Sequence, residues 1–318
     1  MNPGAGSRPT LSIDDPVLDE FAATVGAEDP IAVEGGHTRW DAGGPLAEGA
    51  RLITAPTGIV DYRPEEMTVT VRAGTTVAEL HAVLAEQGQR TALPERGGTV
   101  GGALAIGESD HRALGRGLIR TALLQIRYVS AEGRLVSSGG PTVKNVSGFD
   151  LPRLMVGSLG TLGLLAEAIL RTNPIPAVSA WFRVDDATPS TVFDAVLAPS
   201  CVLWDGTSSW VELEGHEPDV DAQAAALGGV GRTTAVESPP PLPAHRWSLT
   251  PEEVLALGAG SPHDTGEFVA TIGLGLVFAD RPQPQRPLDP AIVAISGRMK
   301  ENFDPTGRLN PGRTPGRT

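Results

Sequence analysis

Residues 139–163 read GGPTVKNVSGFDLPRLMVGSLGTLG. Turn formers crowd the first half of this stretch. The second half ends in Gly157, Gly160 and Gly163 and runs into the apolar segment Leu164–Arg171, which reads as a buried strand. Immediately beyond it, Asn173-Pro174-Ile175-Pro176 stops the run, because a proline pair neither continues a helix nor donates to a sheet ladder. A domain boundary is placed there. Upstream, Leu123–Ser130 and Arg134–Ser137 flank Ala131-Glu132-Gly133 and predict a hairpin.

Further upstream, Met67–Arg72 alternates and is β-branched, which predicts a strand. Thr76, with Glu79 three residues on, has capping-box spacing. It opens a helix with the stripe Val77, Leu80, Val83 and Leu84, ended by Gly88. Leu52–Ala55 reads as a short strand, and Ile31–Val33 as another that feeds Gly35-Gly36-His37-Thr38. Gly97–Ala103 reads as a loop of small residues. After the boundary, Val178–Val184 and Trp210–Leu213 read as strands, and Thr191–Leu197 and Asp219–Leu227 as short helices. Phe268–Phe278 reads as a strand or strand pair, and Pro290–Asn302 as a closing helix. Helices and strands in this mixed order predict an α+β chain.

Three glycine clusters therefore stand in the first half: Gly35-Gly36, Gly97–Gly102 and Gly157–Gly163. Glycine lets main chain approach a ligand closely, and successive N–H groups in such bends form concavities that bind anions. A diphosphate can be held this way without any lysine. For a single cluster, tight turns in a β-rich domain are the simpler explanation. Three clusters in one half of the chain bring the two explanations closer together.

Composition removes other classes. The 318 residues carry 25 Lys+Arg against 38 Asp+Glu, a net charge of −13. That sign disfavours nucleic-acid binding and docking on anionic membranes. The apolar fraction of 40 % fits a chain that buries a core. The longest uncharged run, Leu154–Ala166, is too short and too rich in glycine to span a bilayer. No apolar leader is visible at the N-terminus, so the expected location is the cytoplasm. The only lysines, Lys144 and Lys300, do not follow a glycine, so no GxxxxGK[ST] phosphate loop exists. GxGxxG, HExxH, CxxC and GxSxG are absent as well. One cysteine, Cys201, excludes both an internal disulfide and an iron–sulfur cluster held by this chain alone. His216 has no second histidine nearby, and no metal site is expected.

With these segments in view, the chain resembles the PCMH-type FAD-binding domain of the vanillyl-alcohol-oxidase superfamily. More narrowly, it resembles the FAD-binding subunit of bacterial glycolate oxidase. The resemblance rests on Val71–Thr76, Glu86–Gln89, Gly98–Ala105, Gly139–Leu151 continuing through Met155–Gly163, and Phe303–Arg313. It covers residues 30–173 and the last stretch well and is thin from 177 to 285. It implies a two-subdomain FAD-binding domain at 1–173, a reduced α+β cap or substrate domain at 174–285, and a C-terminal helix and tail at 286–318 that return to the FAD domain.

The cofactor residues it implies are Gly35, Gly36, His37 and Thr38; Gly98, Thr99, Val100, Gly101, Gly102 and Ala103; Lys144 and Asn145; and Gly157, Ser158, Gly160, Thr161, Gly163 and Leu164. The loops at 35–38 and 99–103 would hold the pyrophosphate. Lys144 would stabilise the reduced flavin by Coulomb attraction; the alternative is a surface cation. His37 resembles the histidine of Gly-Gly-His-Ser loops that is covalently tethered to flavin in related oxidases. The alternative is a loop histidine bonded to phosphate or solvent.

Some positions depart from the family pattern. Asp110-His111-Arg112 stands where consecutive arginines are usual, Thr121 where an aspartate is common, and Gln125 where glycine is usual. His111 and Arg112 are candidates for base and carboxylate anchor, or else belong to a solvated loop. The activity implied is oxidation of a small 2-hydroxy acid at its CH–OH group, or relay of its electrons. The implied partners are a second flavin subunit and an iron–sulfur subunit. Two other readings are a degenerate subunit serving as an interaction module and a stand-alone covalent-flavin oxidase.

Overall fold

The computed structural model describes residues 15–140, 150–258, 260–285 and 289–316. Two antiparallel sheets dominate an α+β architecture. The first has five strands in the order Ile59–Arg63, Thr68–Arg72, Leu164–Arg171, Leu123–Val129 and Leu135–Gly139. Leu164–Arg171 is central because nearly all of it is buried, with Thr68–Arg72 on one side and Leu123–Val129 on the other. The predicted hairpin is present, with Tyr128 paired to Val136.

The helix Val77–Glu86 starts where Thr76 accepts the Glu79 amide, and buries Val77, Leu80 and Leu84 against the sheet. Val83 is only half-buried. The loop expected over 97–103 is a loop only as far as Thr99. From Val100 to Ile106 the chain is helical, with Thr99 capping the Gly102 amide. Glycine propensity argues against a helix here, but packing overrides it. A Cβ on Gly101 would stand 2.8 Å from the Ala73 Cβ, so only glycine lets this helix lie so close to the sheet.

The strands Ile31–Glu34 and Arg51–Thr54 form a separate parallel pair. It is joined to the chain end: Ile31 bonds Arg308 through its amide and Asn310 through its carbonyl. The Arg308 guanidinium donates to the carbonyls of Val25, Asp29 and Ala131. At the sheet's inner face Arg72 joins Glu167 at 2.6 Å and Asp15 at 2.5 Å. Asp15 also caps the helix Pro16–Val25, fixing that helix to the sheet.

The second sheet has seven strands in the order Arg232–Val236, Val178–Asp185, Ser209–Gly215, Cys201–Trp204, Phe268–Thr271, Leu276–Ala279 and His245–Ser248. Phe268–Thr271 and Leu276–Ala279 are the strand pair expected within 268–278. Its core holds Val211, Leu213, Trp247 and Val277. Buried ion pairs join the two sheets' units. Arg90 meets Glu214 in bidentate fashion at 2.7 and 2.6 Å, and Arg112 meets Glu212 at 2.7 Å. Among the described residues no helix is long and apolar enough to cross a membrane.

Candidate functional site

All three glycine clusters reach one cleft, the third through Leu159 and Gly160 alone. Its walls include Gly35–Thr38, Gly97–Thr99, Gly101–Ala103, Gly160, Leu164 and Asn310. Two loops form its floor, and they interlock through bare main chain. A Cβ on Gly35 would stand 2.8 Å from Thr99 Oγ1, and one on Gly98 would stand 2.8 Å from Thr38 Oγ1. The second loop is laced to the turn before the helix Val77–Glu86. Val77 donates to the Gly98 carbonyl, Val100 to Thr75, and Gly101 to Ala73.

Those bonds leave a row of main-chain donors unengaged. Among the described residues, the N–H groups of 35–38 and of 97–99 donate to no protein acceptor. Seven such donors lie on two adjoining loops that line one cleft, and successive free amides of this kind can bind an anion such as a diphosphate. None of these residues is buried, so the amides are open to water or to a ligand. The residues present therefore fit FAD, whose diphosphate would be held by these amides.

Other expected residues have different places. Val100 is buried in the core. Gly157 and Ser158 lie outside the cleft lining, and the Gly157 amide bonds Leu104 behind the helix Val100–Ile106. Thr161 bonds Ser158, and a Cβ on Gly163 would stand 2.3 Å from Tyr128, so both are packing positions. Lys144 and Asn145 lie outside the described residues. Arg112 does not line the cleft; it is engaged by Glu212 and lies 5.9 Å from the Trp181 ring centre.

His111 is also absent from the cleft wall. Its Nδ1 is 2.5 Å from Asp110, its ring meets Phe278 edge-on, and its buried Nε2 has no partner among the described residues. Burial pushes the Asp110 carboxyl up. The bond from His111 and the charges of His111 and Arg96 outweigh this and hold it well below the usual range.

His37 lines the cleft in a left-handed conformation, φ +55°. Its Nε2 is 3.2 Å from Glu34, and its ring stacks on Trp40 at 4.4 Å. The Arg313 guanidinium lies over the Trp40 ring, 5.0 Å from its centre, and donates to the carbonyls of Ala42 and Gly44.

Several cleft residues were not expected from the sequence: Arg39, Arg96, Glu108, Asn310 and Arg313. Arg39 directly follows one glycine loop and Arg96 directly precedes another, so their adjacency was a usable signal. Asn310 and Arg313 sit in a C-terminal stretch that only the returning tail brings to the cleft.

Residues 18–139 match the family model described as FAD binding domain. Over 223 residues the chain is 31 % identical to glycolate oxidase subunit GlcE of Escherichia coli, covering 67 % of this chain and 64 % of that protein. It is 33 % identical to D-lactate dehydrogenase of Archaeoglobus fulgidus over 150 residues, 46 % of this chain and 33 % of that one. With glycolate oxidase subunit GlcD of Bacillus subtilis the identity is 31 % over 180 residues, 53 % and 38 % of the two chains. The chain thus spans less than two thirds of the length of these relatives. Among solved structures, an alkyldihydroxyacetonephosphate synthase shares the fold, with a TM-score of 0.67 at 15 % identity over 92 % of this chain and 73 % of that one. The cleft, its unengaged amides and these likenesses agree: the chain carries an FAD binding domain, and its cofactor is FAD.

Proposed function

We propose that the chain is an FAD-dependent oxidoreductase subunit of the glycolate-oxidase type, acting at the CH–OH group of a 2-hydroxy acid or relaying its electrons. The observation that supports it most is the double row of unengaged amides on one cleft. The substrate class is supported by relatives named as glycolate oxidase subunits and D-lactate dehydrogenase.

When bound, FAD supplies a two-electron acceptor for the hydrogen on the substrate carbon. The protein's part is binding and orientation. Asp110 fixes the His111 ring by accepting from Nδ1, and this pair braces the segment whose Glu108 lines the cleft. Cys201 takes no part: burial, then the charges of Glu212 and Asp110, push its thiol up well above the ordinary range. An iron–sulfur centre that receives the electrons belongs on another subunit, and a second flavin subunit completes the proposed complex. Two of the relatives are themselves named as subunits.

The test is the absorption spectrum of the purified protein, followed by anaerobic addition of glycolate, D-lactate and other 2-hydroxy acids. Bound flavin bleached by one of them is expected. A colourless protein would favour the interaction-module reading. Turnover with dioxygen in the absence of partners would favour a stand-alone oxidase. Flavin bleached by none of these acids would contradict the substrate class.

A further inference from the structure

Three guanidinium groups converge on a single carboxylate oxygen at the edge of the cleft. Arg39 Nε, Arg96 Nη1 and Arg246 Nη1 lie 3.4, 3.2 and 3.5 Å from Glu108 Oε2. Arg39 follows the first glycine loop, Arg96 precedes the second, and Arg246 comes from the edge strand His245–Ser248 of the other sheet. One carboxylate cannot balance three such charges. Asp110 adds a second carboxylate, acting on Arg96 and Arg246 as well as on His111, so three guanidinium charges face two carboxylates. The imbalance is felt at Arg246, where burial and then the charges of Arg96 and Arg39 press its pKa down, against the pull of Glu108 and Asp110.

Holding like charges together costs free energy, and an arriving anion relieves it. The position of the cluster says which anion. Arg246 Nη1 donates to the Ser109 carbonyl at 2.9 Å, so the cluster is fixed to the segment 108–111 that also carries the Asp110–His111 pair. A 2-hydroxy acid carries its carboxylate and its hydroxyl on adjacent carbons. Arg39, Arg96 and Glu108 line the cleft wall, so a small carboxylate that enters the cleft reaches the cluster. The diphosphate has its own donors in the loop amides.

We infer that Arg39, Arg96 and Arg246 form the anchor for the substrate carboxylate, with Glu108 as an internal counter-ion that occupies the site until the substrate displaces it. This rests on the function proposed above and assigns the residues that would select an anionic substrate. The reaction feeding this site must then be one that yields a small free 2-hydroxy acid.

The test uses FAD-loaded protein titrated with oxalate, a redox-inert dicarboxylate of similar size, with the flavin absorption as readout. Saturable perturbation is expected in the wild type. Arg246→Met is expected to weaken oxalate about tenfold while keeping its flavin content. The half-exposed Arg39→Gln, which disturbs packing least, is expected to weaken it about threefold. Glu108→Gln is expected to tighten oxalate several-fold, a sign that a damaged fold cannot produce.

The inference is overturned by absence of saturable perturbation in the wild type, or by oxalate affinity unchanged in the charge variants. Lowered flavin content in Arg246→Met, with the remaining flavin reporting unchanged oxalate affinity, also overturns it, since the cluster would then serve the cofactor's phosphates. Oxalate binding as expected in a protein that no 2-hydroxy acid bleaches would sustain the anchor and contradict the oxidation.

Discussion

Gly36 faces Gly98 directly: a Cβ on Gly36 would stand 2.8 Å from the Gly98 Cα. Both loops of the cleft are therefore held at main-chain distance by the absence of two side chains. Gly36→Ala must push the loops apart and misalign the unengaged amides on either side. FAD affinity is expected to fall about tenfold or more, equivalent to about 1.4 kcal/mol. Fluorescence titration of the apoprotein with FAD measures it. Unchanged affinity would show that the interlock does not shape the cofactor site.

His37 is expected to hold FAD without a covalent bond. Trp40 covers one face of its ring and Glu34 engages its Nε2, so the ring is already committed within its own loop. Acid precipitation should leave the flavin in the supernatant. A yellow pellet, with the flavin mass retained on a peptide containing His37, would contradict this.

The joint between the two units should be acid-sensitive. Burial pushes the Glu214 carboxyl up, yet hydrogen bonds from Arg90 and Ser200 and the charges of Arg90 and Arg116 hold it below its ordinary 4.5. A carboxyl lowered by folding contributes stability that is complete above about pH 4.5 and is lost as pH falls through the folded value. Glu214→Gln leaves Arg90 without its counter-charge. It is expected to cost about 3 kcal/mol at neutral pH and to flatten the loss of stability between about pH 5 and 3. Urea unfolding across this range reads both effects. An acid limb as steep as the wild type's would mean that other carboxylates carry it.

Lys300 is expected to hold the C-terminal tail against the turn at 158–161. Its Nζ donates to the Thr161 and Leu309 carbonyls and to the fully buried Asp304 at 2.5 Å. Lys300→Met leaves Asp304 with only the Arg308 and Leu309 amides and the Thr306 hydroxyl as donors. A fall in Tm of about 5 °C or more is expected. Calorimetry checks it, and an unchanged Tm would rule out a stabilising role for this contact.

Much of the first sheet was legible because its strands have local signals. Thr68–Arg72 alternates, Leu123–Val129 and Leu135–Gly139 flank a turn, and Leu164–Arg171 is apolar throughout. The convergence of the glycine loops was legible only as a possibility, since chain distance hides which bends meet. The helix Val100–Ile106 was missed because three of the residues at 98–102 are glycine, and its stability comes from contact with Ala73 rather than from propensity. Arg112 looked available for catalysis, but its partner Glu212 lies a hundred residues away on a strand that pairs only through the second sheet. Arg246 is hidden for the same reason. Its strand is a short edge strand, and its carboxylate partner is on the other unit.

Main-chain donors of 35–38 and 97–99 are expected to hold the diphosphate of FAD. A crystal structure of the FAD-loaded protein tests it most directly. Diphosphate oxygens are expected about 3 Å from several of those amide nitrogens. A diphosphate seated instead on the guanidinium groups of Arg39 and Arg96, with the amides facing only water, would contradict it.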